Sequence, residues 1–368
     1  MKFAVNQPNG NSLRDRIAEE IIAKLQQNGH TIAPMEAGAK FVLNLTNIDA
    51  PQPFQRKSQA VFVVSLAVLD RQAEDIRSLC YTALVKTLSN IMLCIVPSEG
   101  RGSADSEGVA EIYFTTPEVG FYHYPFDPAR VYQSMLPIIS SHLVIRNRLT
   151  TDLLPARWEK SPVVEDIKRY GRELDRLGVL PSPFSLREVL GQESIDHLYQ
   201  MFEVKGISYG NLSTREIIPE MGGNTFWMTA RGVNKARLSR PGKDMLLVTG
   251  HNEDSGEILV SVPPDHDPKV RVSVDAIEHL LIYRTFPEVG AIVHVHAWMD
   301  DVLCTRQNYP CGTQELAEEV VELLKQTGSP DRAVIGLKNH GLTITGPDLA
   351  DIFNRIRGRL QIEVPMFE

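Results

Sequence analysis

Apolar and polar positions alternate along the first 150 residues in a way that predicts strands and helices in turn. Apolar runs predict strands at Lys2–Val5, Lys40–Thr46, Ala60–Leu69, Ile91–Val96 and Ala110–Thr115, and helical periodicity predicts helices at Ser12–Asn28, Asp75–Ser89 and from Pro128 to about Arg146. The run Ala60–Leu69 is nearly uninterrupted and rich in β-branched residues, which is typical of a strand buried on both faces. We therefore expect an α/β sandwich with a largely parallel sheet.

A polar, proline-containing segment, Leu154–Pro162, predicts a boundary between two domains, residues 1–156 and 157–368. Two domains also suit a chain of 368 residues, because single cores stop growing near roughly 250 to 300 residues. Beyond this boundary the pattern predicts a helix at Val163–Leu177, a helix at Ser273–Arg284 with Ser273 as its N-cap, and a strand at Glu288–Ala297.

The composition of the chain indicates which kinds of partner and which cellular compartment to expect. The net charge is -8 and no run of Lys or Arg supplies the positive face that a nucleic acid requires. The N-terminus has no apolar stretch of signal-peptide length, and no window reaches the roughly 18 apolar residues of a membrane span, so we expect neither a membrane partner nor secretion. The four cysteines form no CxxC pair, which indicates a reducing compartment. The sequence therefore predicts a cytoplasmic protein.

Two histidines lie two residues apart on the strand predicted at Glu288–Ala297. Because alternate residues of a strand point to the same face, the rings of His294 and His296 can reach one metal ion. The alternative is a pair of half-buried histidines satisfied by hydrogen bonds, and the spacing alone does not decide between the two.

A third histidine lies in Asn339–His340–Gly341, a predicted turn between two apolar runs. Three histidine ligands without a fourth protein ligand leave open positions on a metal ion, as catalysis requires. The alternative is an exposed turn histidine. In the helix at Ser273–Arg284, Asp275 and His279 lie one turn apart on one face, and the alternative reading of Asp275 is an acid that complements the helix dipole.

Two glycine-containing loops carry small hydrogen-bonding residues beside apolar runs. They are Tyr209–Arg215 (YGNLSTR) and Thr229–Gly232 (TARG). Backbone N–H groups and hydroxyls in such loops bind anions well. The two loops are therefore candidates for binding the charged end of a small-molecule substrate.

Taken in order, these segments resemble the class II aldolase and adducin family over residues 160 to 360, about half of the chain. The similar segments are Arg172–Leu177 (opening helix), Tyr209–Arg215 (GNxSxR), Phe226–Gly232 (TPxG), His279–His296 (HxxxYR and VHxH), Gly312–Ala317 (GTxELA) and Asn339–Gly341 (NHG). The resemblance implies a three-layer α/β/α domain with a central, mostly antiparallel sheet. It also implies a homo-oligomer, with a tetramer the first expectation.

The resemblance also implies roles for individual residues. His294, His296 and His340 would bind the metal, usually zinc, and Asp275 would be the acid/base. A set of three residues, Asn211, Gly232 and Ser273, would line the pocket for the anionic end of the substrate. The implied activity is a metal-dependent lyase of the aldolase type, which cleaves a small phosphorylated or carboxylated hydroxy-carbonyl sugar derivative through a metal-stabilised enediolate. The alternatives are a sugar-phosphate 4-epimerase and a non-catalytic, adducin-like assembly protein.

Two positions depart from the family pattern at the anion pocket. Val274 replaces one of a pair of serines, and Arg231 replaces a hydroxyl residue before Gly232. A guanidinium adds fixed charge and two parallel hydrogen bonds, which suit a carboxylate or a phosphate. We predict that Arg231 binds the substrate anion and favours a carboxylate, as in a sugar acid. The alternative is that Arg231 faces solvent or pairs with an acid such as Glu220.

Overall fold

The computed structural model describes residues 1–7, 10–97, 110–118, 120–159, 161–179, 191–193, 195–196 and 209–367. The chain divides into two units, the first built mainly from Met1–Ser140 and the second mainly from Ser141–Ser185 and Glu203–Pro365. The boundary predicted between residues 156 and 157 lies inside the second unit.

The first unit is built on a seven-stranded sheet in the order β2-β1-β3-β4-β5-β6-β7. Its described strands are β1 (Lys2–Asn6), β2 (Thr31–Ile32), β3 (Phe41–Leu45), β4 (Phe62–Val68), β5 (Ile91–Pro97), β6 (Ala110–Thr115) and β7 (Phe121–Pro125). The pairings from β2 to β5 are parallel, and β6 and β7 are added antiparallel. The prediction of an α/β unit with a largely parallel sheet is confirmed.

The helices of the first unit follow the apolar periodicity of the sequence. They are α1 (Ser12–Gln27), α2 (Ile76–Lys86) and α3 (Pro128–Ser140). Asn11 caps α1 by accepting a hydrogen bond from the N–H of Arg14, and Ile17, Ile21 and Leu25 form its buried face. Every residue of β4 is buried, as its uninterrupted apolar run predicts.

One predicted helix is shorter than its sequence pattern indicates. The helix expected to continue to Arg146 ends at Ser140, because the following residues pair with a distant segment of the second unit. Leu143 forms a bridge with Thr313, and the N–H of Val144 donates to the carbonyl of Gly312 at 2.8 Å. Arg146–Thr150 then forms strand β8, parallel to Glu257–Ser261 (β12). Long-range backbone pairing therefore overrides the local preference for helix.

The second unit contains a nine-stranded sheet in the order β14-β15-β16-β13-β9-β10-β11-β12-β8. Its other described strands are β9 (Asn211–Arg215), β10 (Phe226–Thr229), β11 (Met245–Asn252), β13 (Ala291–Val295), β14 (Leu303–Cys304), β15 (Val334–Leu337) and β16 (Gly341–Gly346). Only the pairings at the two ends of the described sheet, β14 with β15 and β12 with β8, are parallel. The predicted mostly antiparallel sheet is confirmed.

Helices cover both faces of this sheet, because the side chains of each strand alternate between two cores. Phe226 and Met228 of β10 pack in the core that contains α6 (Ala276–Thr285) and α7 (Gln314–Lys325). Trp227 packs in the opposite core, with residues of two further helices. Those two helices are α5 (Pro162–Arg176) and α8 (Leu349–Ile356), and the short helix α4 (Pro155–Trp158) precedes α5 in the chain. The predicted three layers are present, and no described helix is long and apolar enough to span a membrane.

Candidate functional site

The structure brings the three histidines predicted to bind metal together in the second unit. His294 lies on β13, His296 follows the end of that strand, and His340 lies in the turn between β15 and β16. One ring nitrogen from each lies within 4.8 Å of the other two. The ring centroids are 5.1 Å apart for His294 and His296 and 4.8 Å apart for each pair that includes His340. The arrangement places three nitrogen ligands around one point.

The turn that carries His340 is held tightly against β13. Asn339 has φ of 58°, a left-handed conformation that asparagine tolerates better than most residues. A Cβ atom at Gly341 would lie 2.1 Å from the carbonyl oxygen of Val295, so no side chain fits there. The close approach of the two backbones brings His340 beside His296, which follows Val295 along the chain.

Hydrogen bonds fix which nitrogen of His294 faces the cluster. Its Nδ1 donates to the carbonyl oxygen of Leu342 at 3.1 Å, which leaves Nε2 as the lone-pair nitrogen. That Nε2 is buried without a hydrogen-bond partner in the part of the chain that the structure describes. Buried polar atoms without partners are costly. A metal ion held by these rings would remove part of that cost, so the residues fit a divalent cation.

Burial keeps the three rings in the form that binds metal. It lowers the pKa of His294, and it lowers the pKa values of His296 and His340 well below the usual value for histidine. Neutral imidazole is the ligand form, because a protonated ring has no free lone pair. The ring of Tyr209 stacks on His296 with centroids 4.3 Å apart, which restricts the orientation of that imidazole.

Asp275 lies immediately before α6, which begins at Ala276 rather than at Ser273. Asp275 is therefore the N-cap residue in place of Ser273, although its side chain does not cap the helix. Its Oδ2 instead accepts a hydrogen bond from Nδ2 of Asn211 at 2.6 Å, and the hydroxyl of Ser273 lies 3.5 Å from the same oxygen. Asn211 is paired with His294 across β9 and β13. The buried carboxylate thus lies beside the histidine cluster, with a ligand atom within 4.8 Å of that of His294.

Three further ionisable residues interact electrostatically with this carboxylate, and none of them has a chemical role that the sequence predicts. Burial, followed by the charge of Asp275, raises the pKa of Glu278 to about 8. Burial lowers the pKa of Lys235 to about 7, and the charge of Asp275 opposes this shift. Burial also lowers the pKa of His279 to about 3, so its ring is neutral. Two of these had a sequence signal: His279 begins the HxxxYR segment on the same helix face as Asp275, and Glu278 is an acid within the apolar run of α6.

His279 belongs to a buried hydrogen-bond chain beneath the site. The hydroxyl of Ser213 lies 2.7 Å from Nδ1 of His279 and 2.8 Å from the hydroxyl of Tyr283. Arg215 fixes the end of the same helix by donating from Nη2 to the carbonyls of Tyr283 and Phe286. The GNxSxR segment therefore positions α6, with Asp275 at its start, against β9.

Arg231 and Gly232 follow β10 at a bend of the chain. Gly232 has φ of 68°, a left-handed conformation that favours glycine. Nη2 of Arg231 donates to the carbonyl oxygen of Ile145 at 2.9 Å. Glu220, the acid considered as a partner for Arg231, lies 3.5 Å from Arg157. The guanidinium is thus held next to Ile145, whose side chain approaches Gly312.

Part of the chain matches a known protein family. Residues 195–305 match the family model of the Class II Aldolase and Adducin N-terminal domain. Most of the matched residues lie in the second unit. The matched range includes Asp275, His294 and His296, whereas His340 lies beyond its end and is brought to the site by the fold. The resemblance predicted from the sequence motifs is confirmed for this domain.

The chain is similar to named enzymes over part of its length. It is 32% identical over 121 residues to methylthioribulose-1-phosphate dehydratase of Leptospira interrogans, covering 32% of this chain and 44% of the relative. It is 30% identical over 99 residues to L-fuculose phosphate aldolase of Methanocaldococcus jannaschii, covering 21% of this chain and 51% of the relative. The matches thus span about half the length of these relatives.

Among solved structures, an L-fuculose 1-phosphate aldolase superposes with a TM-score of 0.36 at 18% identity, covering 55% of this chain and 83% of that one.

Proposed function

We propose that the second unit binds one divalent metal ion, most simply zinc, through His294, His296 and His340. Three neutral imidazoles that converge on one point, two of them buried and His296 partly buried, support this assignment. Nitrogen ligands favour borderline cations such as zinc over magnesium or calcium. When bound, such an ion supplies a Lewis acid that stabilises negative charge developing on a substrate oxygen.

We further propose that this unit is a lyase acting on a small phosphorylated or carboxylated hydroxy-carbonyl sugar derivative. The observation that carries the proposal is the buried carboxylate of Asp275 beside the histidine cluster. Asn211 donates to one of its oxygens, which orients the carboxylate to exchange a proton with a bound substrate. The names of the two relatives, a dehydratase and an aldolase, describe reactions of the lyase class.

Carbon–carbon cleavage is the first candidate reaction. In that reaction Asp275 would take the proton of the hydroxyl group on the carbon that leaves as an aldehyde, and would return it to the other fragment. Epimerisation is the variant in which the two fragments rejoin with the opposite face presented. The dehydratase relative supports loss of water as a second candidate. There Asp275 would take a proton from the carbon next to the carbonyl group and deliver it to a neighbouring hydroxyl, which departs as water.

A screen of sugar phosphates and sugar acids with added zinc tests the proposal. Aldehyde release would identify cleavage, and a product lighter by one water, detected by mass spectrometry, would identify dehydration. We expect turnover of at least one substrate class, abolished by a chelator and restored by metal. Metal-loaded protein that turns over no member of either class would contradict the lyase proposal and favour the adducin-like, non-catalytic alternative.

Arg231 is proposed to bind the anionic end of the substrate, together with the backbone at Gly232. Replacing Arg231 with alanine should raise the KM of an anionic substrate by about tenfold or more, because a lost charge-assisted hydrogen bond costs roughly 1.5 to 3 kcal/mol. Steady-state kinetics with paired phosphate and carboxylate substrates would measure the effect and reveal which anion Arg231 favours. Arg237→Ala is the matched control, because Arg237 is an exposed arginine six residues away. Equal KM values in wild type and Arg231→Ala would place the anion elsewhere.

Two further properties, one implied by the family resemblance and one by the composition, remain predictions for the whole protein. We propose a homo-oligomer, with a tetramer as the first expectation, which light scattering at micromolar concentration can check. The cytoplasmic location also stays a prediction, supported by the sparse, unpaired cysteines.

A further inference from the structure

Cys311 lies beside the histidine cluster, in the segment that leads into α7. The carbonyl of the next residue, Gly312, accepts a hydrogen bond from the N–H of Val144. Gly312 also has φ of 74°, a left-handed conformation that favours glycine. A Cβ atom at Gly312 would lie 2.5 Å from the side chain of Ile145 and 2.9 Å from the carbonyl oxygen of Val274. Val274 immediately precedes Asp275. Close backbone packing therefore holds Cys311 on the side of the site where Asp275 lies.

The sulfur of Cys311 lies close to two of the three proposed histidine ligands, His294 and His340. Its Sγ lies 3.2 Å from Nε2 of His340. Its Sγ, a nitrogen of His294 and an oxygen of Asp275 all lie within 4.8 Å of one another. For comparison, a thiolate and an imidazole nitrogen bound to one tetrahedral zinc ion are roughly 3.6 Å apart. The two groups of candidate ligands share His294, and the sulfur also contacts His340, so it lies beside two of the three rings.

We propose that Cys311 is a fourth protein ligand, so that the resting centre has three histidines and one cysteine. This inference rests on the metal site proposed above. Thiolate is a strong ligand for zinc and other borderline cations, and metal binding would release the thiol proton to solvent. Without metal, the same contact is a hydrogen bond between the thiol and His340. A sulfur ligand occupies a position that catalytic zinc sites leave open, so substrate would displace it or add as a fifth ligand.

Cys304 provides a matched control. It lies seven residues earlier on β14, paired with Gly336. Like Cys311 it is partly buried and unbridged, but it is not a member of either candidate ligand group found in the described part of the chain. Cys80 and Cys94 belong to the first unit. A spectroscopic signal from sulfur bound to metal at this site can therefore be assigned to one side chain.

The test is the electronic absorption spectrum of protein loaded with cobalt(II), with bound cobalt measured in the same samples. Wild type and Cys304→Ser should show a near-ultraviolet thiolate-to-cobalt charge-transfer band, and Cys311→Ser should bind cobalt without that band. Wild-type protein that binds cobalt at the site but lacks the band would overturn the proposal.

Two further outcomes separate this inference from the function on which it rests. Wild-type protein that binds no cobalt would overturn the metal centre itself, and the sulfur ligand with it. If Cys311→Ser fails to fold, X-ray absorption of the zinc-loaded wild type gives the answer without a variant. A scattering shell from sulfur at about 2.3 Å supports the inference, and a shell of nitrogen and oxygen alone contradicts it.

Discussion

Replacing His296 with alanine is expected to remove most of the metal from the purified protein. Wild type should retain about one divalent ion per chain, because three converging neutral imidazoles form a high-affinity site. Loss of one ring leaves two histidines, and even the loss of residues that only orient metal ligands costs roughly 10- to 100-fold in affinity. We therefore expect less than about a tenth of the wild-type metal content after dialysis, measured by elemental analysis. His296 is preferable to His294 for this test because it is less buried.

The change in Tm on adding a chelator is a second measurement of metal binding, and it does not depend on activity. An ion that binds only the folded protein stabilises it, by about 4 kcal/mol when the free metal concentration is a thousand times the dissociation constant. Chelator should therefore lower the Tm of wild type and leave that of His296→Ala unchanged. His251→Ala, a histidine on β11 of the same sheet, should behave as wild type. Unchanged metal content in His296→Ala would refute the assignment of the three ligands.

The secondary structure could be predicted where local pattern and tertiary environment agree. The apolar run at β4 and the amphipathic face of α1 each match the observed element closely, because one buried face is sufficient to explain the pattern. The segment 141–150 could not be predicted. Its residues continue a helical pattern, but bonding to Gly312 and to β12 depends on chain more than 100 residues away. Register with a distant strand leaves no signal in the local sequence.

The candidate site shows the same division between local and distant information. Strand periodicity is sufficient to place the side chains of His294 and His296 on the same face of one strand. The glycine after His340 is consistent with a close turn. Nothing in the spacing indicates that Asn211 would donate to Asp275, since the two lie 64 residues apart. The same holds for Cys311, whose sulfur contacts His340 across 29 residues. Motif order suggested the ligands, whereas the fold is needed to identify the residues that orient them.

Replacing Asp275 with asparagine is expected to lower kcat by about 100- to 10,000-fold, the usual contribution of a positioned acid/base group. The variant keeps the shape of the side chain and an oxygen that can accept from Asn211, but it can no longer take or deliver a proton. Metal content should remain at the wild-type level, because the three histidines that bind the ion are unchanged. Kinetics and elemental analysis on the same preparation would measure both quantities. Full activity in Asp275→Asn would refute the acid/base assignment.

A second buried acid of the same helix makes this test selective. Glu278 lies three residues after Asp275, and burial raises its pKa to about 8, so the carboxyl group is mostly protonated at neutral pH. Its Oε1 accepts a hydrogen bond of 2.6 Å from the hydroxyl of Thr343. Glutamine has nearly the same shape as this neutral acid and can accept the same bond, so Glu278→Gln should retain kcat within a few-fold. If Glu278→Gln abolished turnover and Asp275→Asn did not, the proton would be exchanged by Glu278, one helical turn further into the core.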